Sequence, residues 1–168
     1  MMLIGLIADT HIPDHAKELP AQLKEAFKAV DRIFHAGDIY SLSVLNELES
    51  IAPVLAAQGD DDTSSTANDS RVKPKHVIGI DGVTVWLMHE RPKKMPRVSK
   101  EISWLDDPPD VIVFGHTHQS LIEEVDGVLH VNPGSPTFPG YKLEPGTVGL
   151  LNIDNGKVEA RIIQLEQG

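Results

Sequence analysis

Short apolar runs alternate along this chain with amphipathic or polar stretches, and five of the runs end in Gly, Asp or His. The five are residues 3–8, 33–36, 54–58, 83–88 and 111–114. Apolar runs of this length, bounded by glycine and polar residues, predict buried strands. Between the first two, residues 18–30 place Leu19, Leu23, Ala26, Phe27 and Val30 at helical spacing, which predicts an amphipathic helix. After the second, Ser41 predicts a cap for another helix with Leu42, Leu45 and Leu48 as its apolar stripe. Strand, helix, strand, helix, strand is the opening of a doubly wound parallel sheet.

Residues 60–70 lack periodicity and are almost devoid of apolar side chains, so a mobile loop is expected there. Beyond it the pattern turns strand-rich, with candidates at 76–80, 83–88, 111–114, 121–125, 128–131, 147–153 and 158–165. Asp81-Gly82, Asp126-Gly127 and Asn155-Gly156 predict three hairpin turns. One helical stretch is expected at about 98–105, and no internal repeat is visible. The expected architecture is α/β, with two sheets packed face to face and helices outside.

A length of 168 residues suits one ordinary core and predicts a single domain over 1–168. Hydrophobic content of 40% contains no run near the ~20 apolar residues of a membrane helix. The start Met1-Met2-Leu3 lacks the basic segment of a secretory signal, so a cytoplasmic location is expected. Absence of cysteine excludes disulfides and thiol chemistry. A net charge of -10 argues against broad adhesion to nucleic acid or anionic membrane, while leaving a nucleotide substrate open.

The chemistry gathers at the run ends. Asp9-Thr10-His11, Gly37-Asp38, Gly59-Asp60, His89 and Gly115-His116-Thr117-His118 each follow one apolar run. Ligands of open α/β sheets bind beyond the carboxyl ends of the strands, so these side chains are expected to converge. Asp9 with His11, and His116 with His118, share a side of an extended segment. Carboxylate and imidazole together suit divalent Mn, Fe, Ni, Co or Zn. His15, His35, His76 and His130 fall off the pattern and read as structural or surface residues. No Gly-x-Ser-x-Gly elbow, Walker loop or Gly-x-Gly-x-x-Gly turn occurs.

With these blocks in this order, and with Asn132-Pro133-Gly134-Ser135 after them, the chain resembles the calcineurin-like metallophosphoesterases over about residues 3–165. Within that family it is similar to the small single-domain bacterial and archaeal phosphodiesterases. The resemblance implies a four-layer α/β/β/α sandwich of two mixed β-sheets flanked by helices. It also implies two divalent metal ions, manganese first, with Ni, Co, Fe, Zn or Mg as alternatives. Asp9, His11, Asp38 and His118 would hold one ion and Asp38, Asp60, His89 and His116 the other, with Asp38 bridging. A hydroxide shared by the metals would attack a small phosphodiester or nucleotide-like substrate in line. Homo-oligomerisation stays open.

The third block departs from the family pattern. Asp60 stands where relatives carry Asn, and Asp61 stands where the family places the histidine that protonates the leaving oxygen. A carboxyl of ordinary pKa ~3.9 near dications is a poor acid at neutral pH, so Asp61 also reads as a solvated loop carboxylate. An Asp-rich third block and a His-Ile-Pro stretch are also features of the metallophosphoesterase-like subunit of the retromer complex, which serves mainly as a scaffold. That resemblance opens a second reading, a weakly active or inactive binding protein. Retention of Asp38, which that subunit replaces with an amide, favours an enzyme. Eight of the 15 Lys and Arg residues lie between Arg71 and Lys100. Most such runs are solvated charge; Arg91 and Lys93, just past His89, are the candidates for holding a substrate phosphate.

Overall fold

The computed structural model describes residues 1–94, 107–142 and 146–166. The first half runs β1 (Met2–Ile7), α1 (Gln22–Ala26), β2 (Arg32–His35), α2 (Leu42–Glu49), β3 (Val54–Ala57), α3 (Ser64–Ala67) and β4 (Val72–Lys73). The second half runs β5 (Lys75–Ile80), β6 (Val83–Met88), β7 (Val111–Val113), β8 (Ser120–Val125) and β9 (Val128–Pro133). A 3-10 turn at Pro139–Tyr141 then leads to β10 (Thr147–Asp154) and β11 (Lys157–Gln164).

Two mixed sheets result, in the α/β arrangement expected. One has the order β11-β10-β1-β2-β3-β4 and the other β5-β6-β7-β9-β8. In the first, β1 to β4 are mutually parallel and β10 closes antiparallel on β1. In the second, β6, β7 and β9 are parallel, flanked by antiparallel β5 and β8. Side chains alternate across a strand, so β1 feeds two cores: Ile4 and Leu6 pack between the sheets, whereas Ile7 packs under the helices. His76 donates its ring Nε2–H at 2.8 Å to the carbonyl of Ala56 on β3, linking the second sheet to the first.

All three hairpin turns form where expected, because their residues adopt the paired positive φ that a type I′ turn requires: Asp81 and Gly82 at 48° and 81°, Asp126 and Gly127 at 51° and 80°, Asn155 and Gly156 at 51° and 75°. Ser41 caps α2, its hydroxyl accepting from the Ser43 N–H at 3.3 Å.

Three expectations need correction or limits. The helix expected over 18–30 is regular only at Gln22–Ala26, although Leu19, Leu23 and Phe27 are buried on the face foreseen. Pro20 delays the start and Phe27, with φ -104° and ψ 10°, ends it. The loop expected over 60–70 contains α3, with Thr63 at its N-cap position and the Thr66 hydroxyl donated at 2.8 Å to the carbonyl of Tyr40. Its dense polar bonding is invisible to a periodicity argument. The helix expected at 98–105 lies outside the described residues, and among the described residues no helix covers the outer face of the second sheet, where Trp86, Ile112 and Phe114 cluster.

Candidate metal centre

The parallel strands of both sheets end on one spot. Asp9 and His11 follow β1, Asp38 follows β2, Asp60 follows β3, His89 follows β6, and His116 and His118 follow β7. The structure brings these seven side chains together as overlapping groups whose ligand atoms lie within 4.8 Å of one another. These groups are Asp9, His11 and His118; Asp60, His89 and His116; and Asp9, Asp38 and His89; a fourth joins Asp61 to His11 and Asp38. Asp38 Oδ2 lies 3.4 Å from His11 Nε2 and 3.3 Å from His89 Nε2, so one oxygen faces both halves of the cluster. Asp60 Oδ2 is 2.9 Å from His116 Nδ1 and 3.4 Å from His89 Nε2. Asp9 Oδ1 lies 3.7 Å from His118 Nε2 and 3.8 Å from His11 Nε2.

These residues fit divalent cations. His11 is buried, yet neither of its ring nitrogens has a hydrogen-bond partner in the protein. An orphaned imidazole at that depth is costly unless it coordinates something. Carboxylate oxygens and imidazole nitrogens are the donors that first-row dications prefer. Two other imidazoles are pre-oriented by their far nitrogen: His89 Nδ1–H donates to the Ala36 carbonyl at 2.8 Å, and His118 Nδ1–H to the Phe138 carbonyl at 2.9 Å. Each bond occupies Nδ1 and turns Nε2 toward the cluster, where it could coordinate a cation once deprotonated.

Local backbone chemistry explains the motif spacing. Asp9, His11, Asp38, His116 and His118 all have left-handed φ, from 46° to 75°. Such conformations are sparsely populated by non-glycine residues, and Asp and His tolerate them better than bulky or β-branched residues do. The glycines before the ligands allow the blocks to touch. A Cβ on Gly59 would stand 2.1 Å from the Asp38 nitrogen, and one on Gly37 2.7 Å from His89 Nδ1.

Partners beyond the seven hold these loops, and periodicity did not reveal them. Asp62 accepts from the Ile39, Tyr40 and Gly59 N–H groups at 2.7, 2.9 and 2.7 Å, which ties the third block to the second. Ser135 donates at 2.8 Å to the Asp9 carbonyl, and Thr137 at 2.8 Å to the Thr10 carbonyl. Asn132 Nδ2 donates to the Gly115 carbonyl at 2.9 Å. Fully buried His35 accepts from Gly37 N at its Nδ1 and donates from Nε2 to Thr10 Oγ1, both at 3.1 Å.

Asp61, Arg91 and Lys93 lie at the rim. The Asp61 carboxylate accepts from the Tyr40 hydroxyl at 3.1 Å, and the Asp61 N–H donates to Asp38 Oδ1 at 3.1 Å. A groove of about 820 Å³ opens beside His116 and is lined in part by Arg91, Lys93, Gln119 and Glu123. Arg91 is ion-paired with Glu123 and stacked over Phe114 at 4.8 Å, whereas Lys93 is exposed. His15, placed off the pattern by its sequence position, stacks on Phe138 and sits 5.0 Å from the His11 ring. Tyr40 lies 4.6 Å from the other side of His11.

Charge coupling is strongest between Asp38 and His89. Burial pushes the Asp38 carboxyl up, but the hydrogen bond and charge of His89 outweigh it and hold the group at about 2. Burial pushes His89 down, and the hydrogen bond and charge of Asp38 reverse this to about 9. His35 is driven down to about 3 by burial and then by His89, against the pull of Asp38.

Residues 2–156 match the model of the calcineurin-like phosphoesterase superfamily domain, and the chain belongs to that metal-dependent superfamily. A probable metallophosphoesterase of Methanothermobacter thermautotrophicus is 40% identical, over 97% of this chain and 92% of the relative. A phosphodiesterase of Methanocaldococcus jannaschii is 31% identical, over 98% of this chain and all of the relative. Vacuolar protein sorting-associated protein 29 of Schizosaccharomyces pombe is 28% identical, over 81% of this chain and 73% of its own. Among solved structures, the protein of that name from Chaetomium thermophilum superposes with a TM-score of 0.74 at 20% identity, over 98% of this chain and 97% of that one, a likeness of fold.

The depressed His35 gives a pH prediction. Between about 6.5 unfolded and about 3 folded, the unfolded chain binds the extra proton. Stability from neutral His35 is therefore complete above pH 6.5 and falls as pH drops below it, by about 1.4 kcal/mol per unit. Thermal melts of metal-loaded protein from pH 7 to 4.5 should show a falling Tm, with a shallower fall in His35→Gln. Parallel slopes for the two proteins would refute this.

Proposed function

We propose that this chain, as a member of the calcineurin-like phosphoesterase superfamily, is a phosphodiesterase built as one domain over residues 1–168. Asp9, His11, Asp38 and His118 would hold one divalent cation and Asp38, Asp60, His89 and His116 a second, manganese being the first candidate. The observation that carries this reading is the single Asp38 oxygen facing imidazoles of both halves of the cluster. A pair of dications there would supply Lewis acidity toward phosphoryl oxygens and lower the pKa of water. Among the described residues no helix is long and apolar enough to cross a membrane. We propose a cytoplasmic location.

The chain's own residues then have distinct tasks. Asp38 sets the separation of the two halves, while the bonds from His89 to Ala36 and from His118 to Phe138 fix two of the imidazoles. Along the groove beside His116, exposed Lys93 offers positive charge to the anionic part of a small diester, and Arg91 could do so by exchanging its partner Glu123 for the substrate. Asp61 occupies the rim position at which a proton donor would act, but its carboxylate already accepts a hydrogen bond from Tyr40. It suits the role of acceptor better than that of acid, which leaves departure of the alcohol weakly assisted.

A second reading, a scaffold with little or no turnover, draws on the similarity to a vacuolar sorting-associated protein and on the acidic run Asp60-Asp61-Asp62. Metal analysis and an aryl phosphodiester assay separate the two. The enzyme should bind close to two equivalents of Mn and turn over, and Asp38→Asn should lose metal and at least about 100-fold in kcat/KM. Full activity in Asp38→Asn would exclude the shared-carboxylate centre, and absence of metal-stimulated turnover in the parent protein would favour the scaffold.

Weak protonation of the leaving group predicts that aryl diesters outpace alkyl diesters by at least about 100-fold, the range that general acids contribute. Comparable rates would show that another residue delivers the proton. Replacing Arg91 and Lys93 together by Ala should raise KM for an anionic diester while metal content stays constant; an unchanged KM removes them from substrate binding.

A further inference from the structure

We propose that Tyr40, His15, Phe138 and Tyr141 form a stacking subsite for the nucleobase of a nucleotide phosphodiester. The inference rests on the phosphodiesterase reading and specifies its substrate class.

The chain has two tyrosines, and both stand on this one flank of the cluster. Tyr141 stacks on His118, ring centroids 4.5 Å apart and 19° between planes. Phe138 meets Tyr141 edge-on at 5.8 Å, and His15 lies flat on Phe138 at 4.2 Å and 8°. Tyr40 packs against His11 at 4.6 Å, and His11 in turn lies 4.8 Å from His118. The rings form a continuous wall, with two candidate metal ligands as its inner members.

The wall has a free face. Tyr141 is 62% exposed, although one side of its ring covers His118. The loop that presents it is fastened to that ligand in both directions: the Gly140 N–H donates to the His118 carbonyl at 3.0 Å, while His118 donates to the Phe138 carbonyl. Tyr141 is held in a left-handed conformation, φ 64°, unusual for a bulky side chain. An outward-facing aromatic on a loop tied to His118, beside the proposed phosphate site, is placed to receive a flat ring on its open face.

Geometry limits where a substrate's substituents can go. With its phosphoryl group seated among the seven side chains, a substituent passes over either this wall or the groove of Arg91 and Lys93. The two flanks differ in chemistry, one a wall of rings and the other of mixed charge, where Arg91 and Lys93 stand beside Glu90, Glu123 and Asp126. A nucleobase matches the first, since every base offers a π-face. A simple alkyl substituent would use neither.

Calorimetry on manganese-loaded protein tests the subsite, with thymidine 5′-monophosphate and inorganic phosphate as probes. Tyr141→Ala should weaken binding of the nucleotide about tenfold, the scale of one lost base stack, and leave phosphate binding and metal content unchanged. Tyr141→Phe should bind both probes as the parent does. In turnover, Tyr141→Ala should raise KM for thymidine 5′-(p-nitrophenyl phosphate) with kcat retained, and leave methyl p-nitrophenyl phosphate unaffected. Equal nucleotide affinity in Tyr141→Ala and the parent would overturn the subsite even if diester turnover persists. A parallel loss of phosphate binding would also overturn it, by assigning Tyr141 to the support of His118. Absence of turnover on both esters with nucleotide binding intact would count against the phosphodiesterase reading and leave the subsite standing.

Discussion

Crowding of like charge around Asp38 is the constraint on which this structure turns. Asp9, Asp38 and Asp60 meet at the ends of three adjacent parallel strands, where burial removes the water that would screen two of them. Carboxylates so placed repel strongly. In the metal-free cluster a protonated His89 beside Asp38 supplies part of the compensation. Divalent cations, which this superfamily requires, are the natural replacement for that proton.

That constraint explains why the two sheets face each other as they do. Neither sheet alone presents the whole cluster: the first contributes the carboxylates and His11, the second the other three imidazoles. Their relative placement is set by the core between them, by His76 reaching across to Ala56, and by His89 donating to Ala36. Packing in the interior thus fixes the spacing of the clustered side chains at the rim. The left-handed residues concentrated there are stabilised by the hydrogen bonds of Asp62, Asn132, Ser135 and Thr137.

The α/β architecture was legible because strand burial writes itself as short apolar runs and because three Asp-Gly or Asn-Gly pairs fix hairpin turns. The seven clustered residues were legible because each lies within four residues of the end of an apolar run. Other features leave no periodic trace. The early end of α1 depends on local φ and ψ at Phe27, and α3 rests on hydroxyl bonds to the Tyr40 carbonyl and among its own threonines and serine rather than on an apolar face. Asp62 looked like one more acid in a polar stretch, because its three backbone donors come from residues 39, 40 and 59. His15 and Tyr141 lie far apart in sequence, and only the fold places both against Phe138.

The contact between Gly59 and Asp38 also restricts how this protein can diverge. Since any side chain at position 59 would occupy the space of the Asp38 backbone and carboxylate, that codon is closed to exchange while the cluster persists. Variation in the third block is channelled instead into Asp60 and Asp61, whose side chains are exposed. Exchange at those two adjoining positions would alter the charge beside His116 and Tyr40 without disturbing the glycine that precedes them.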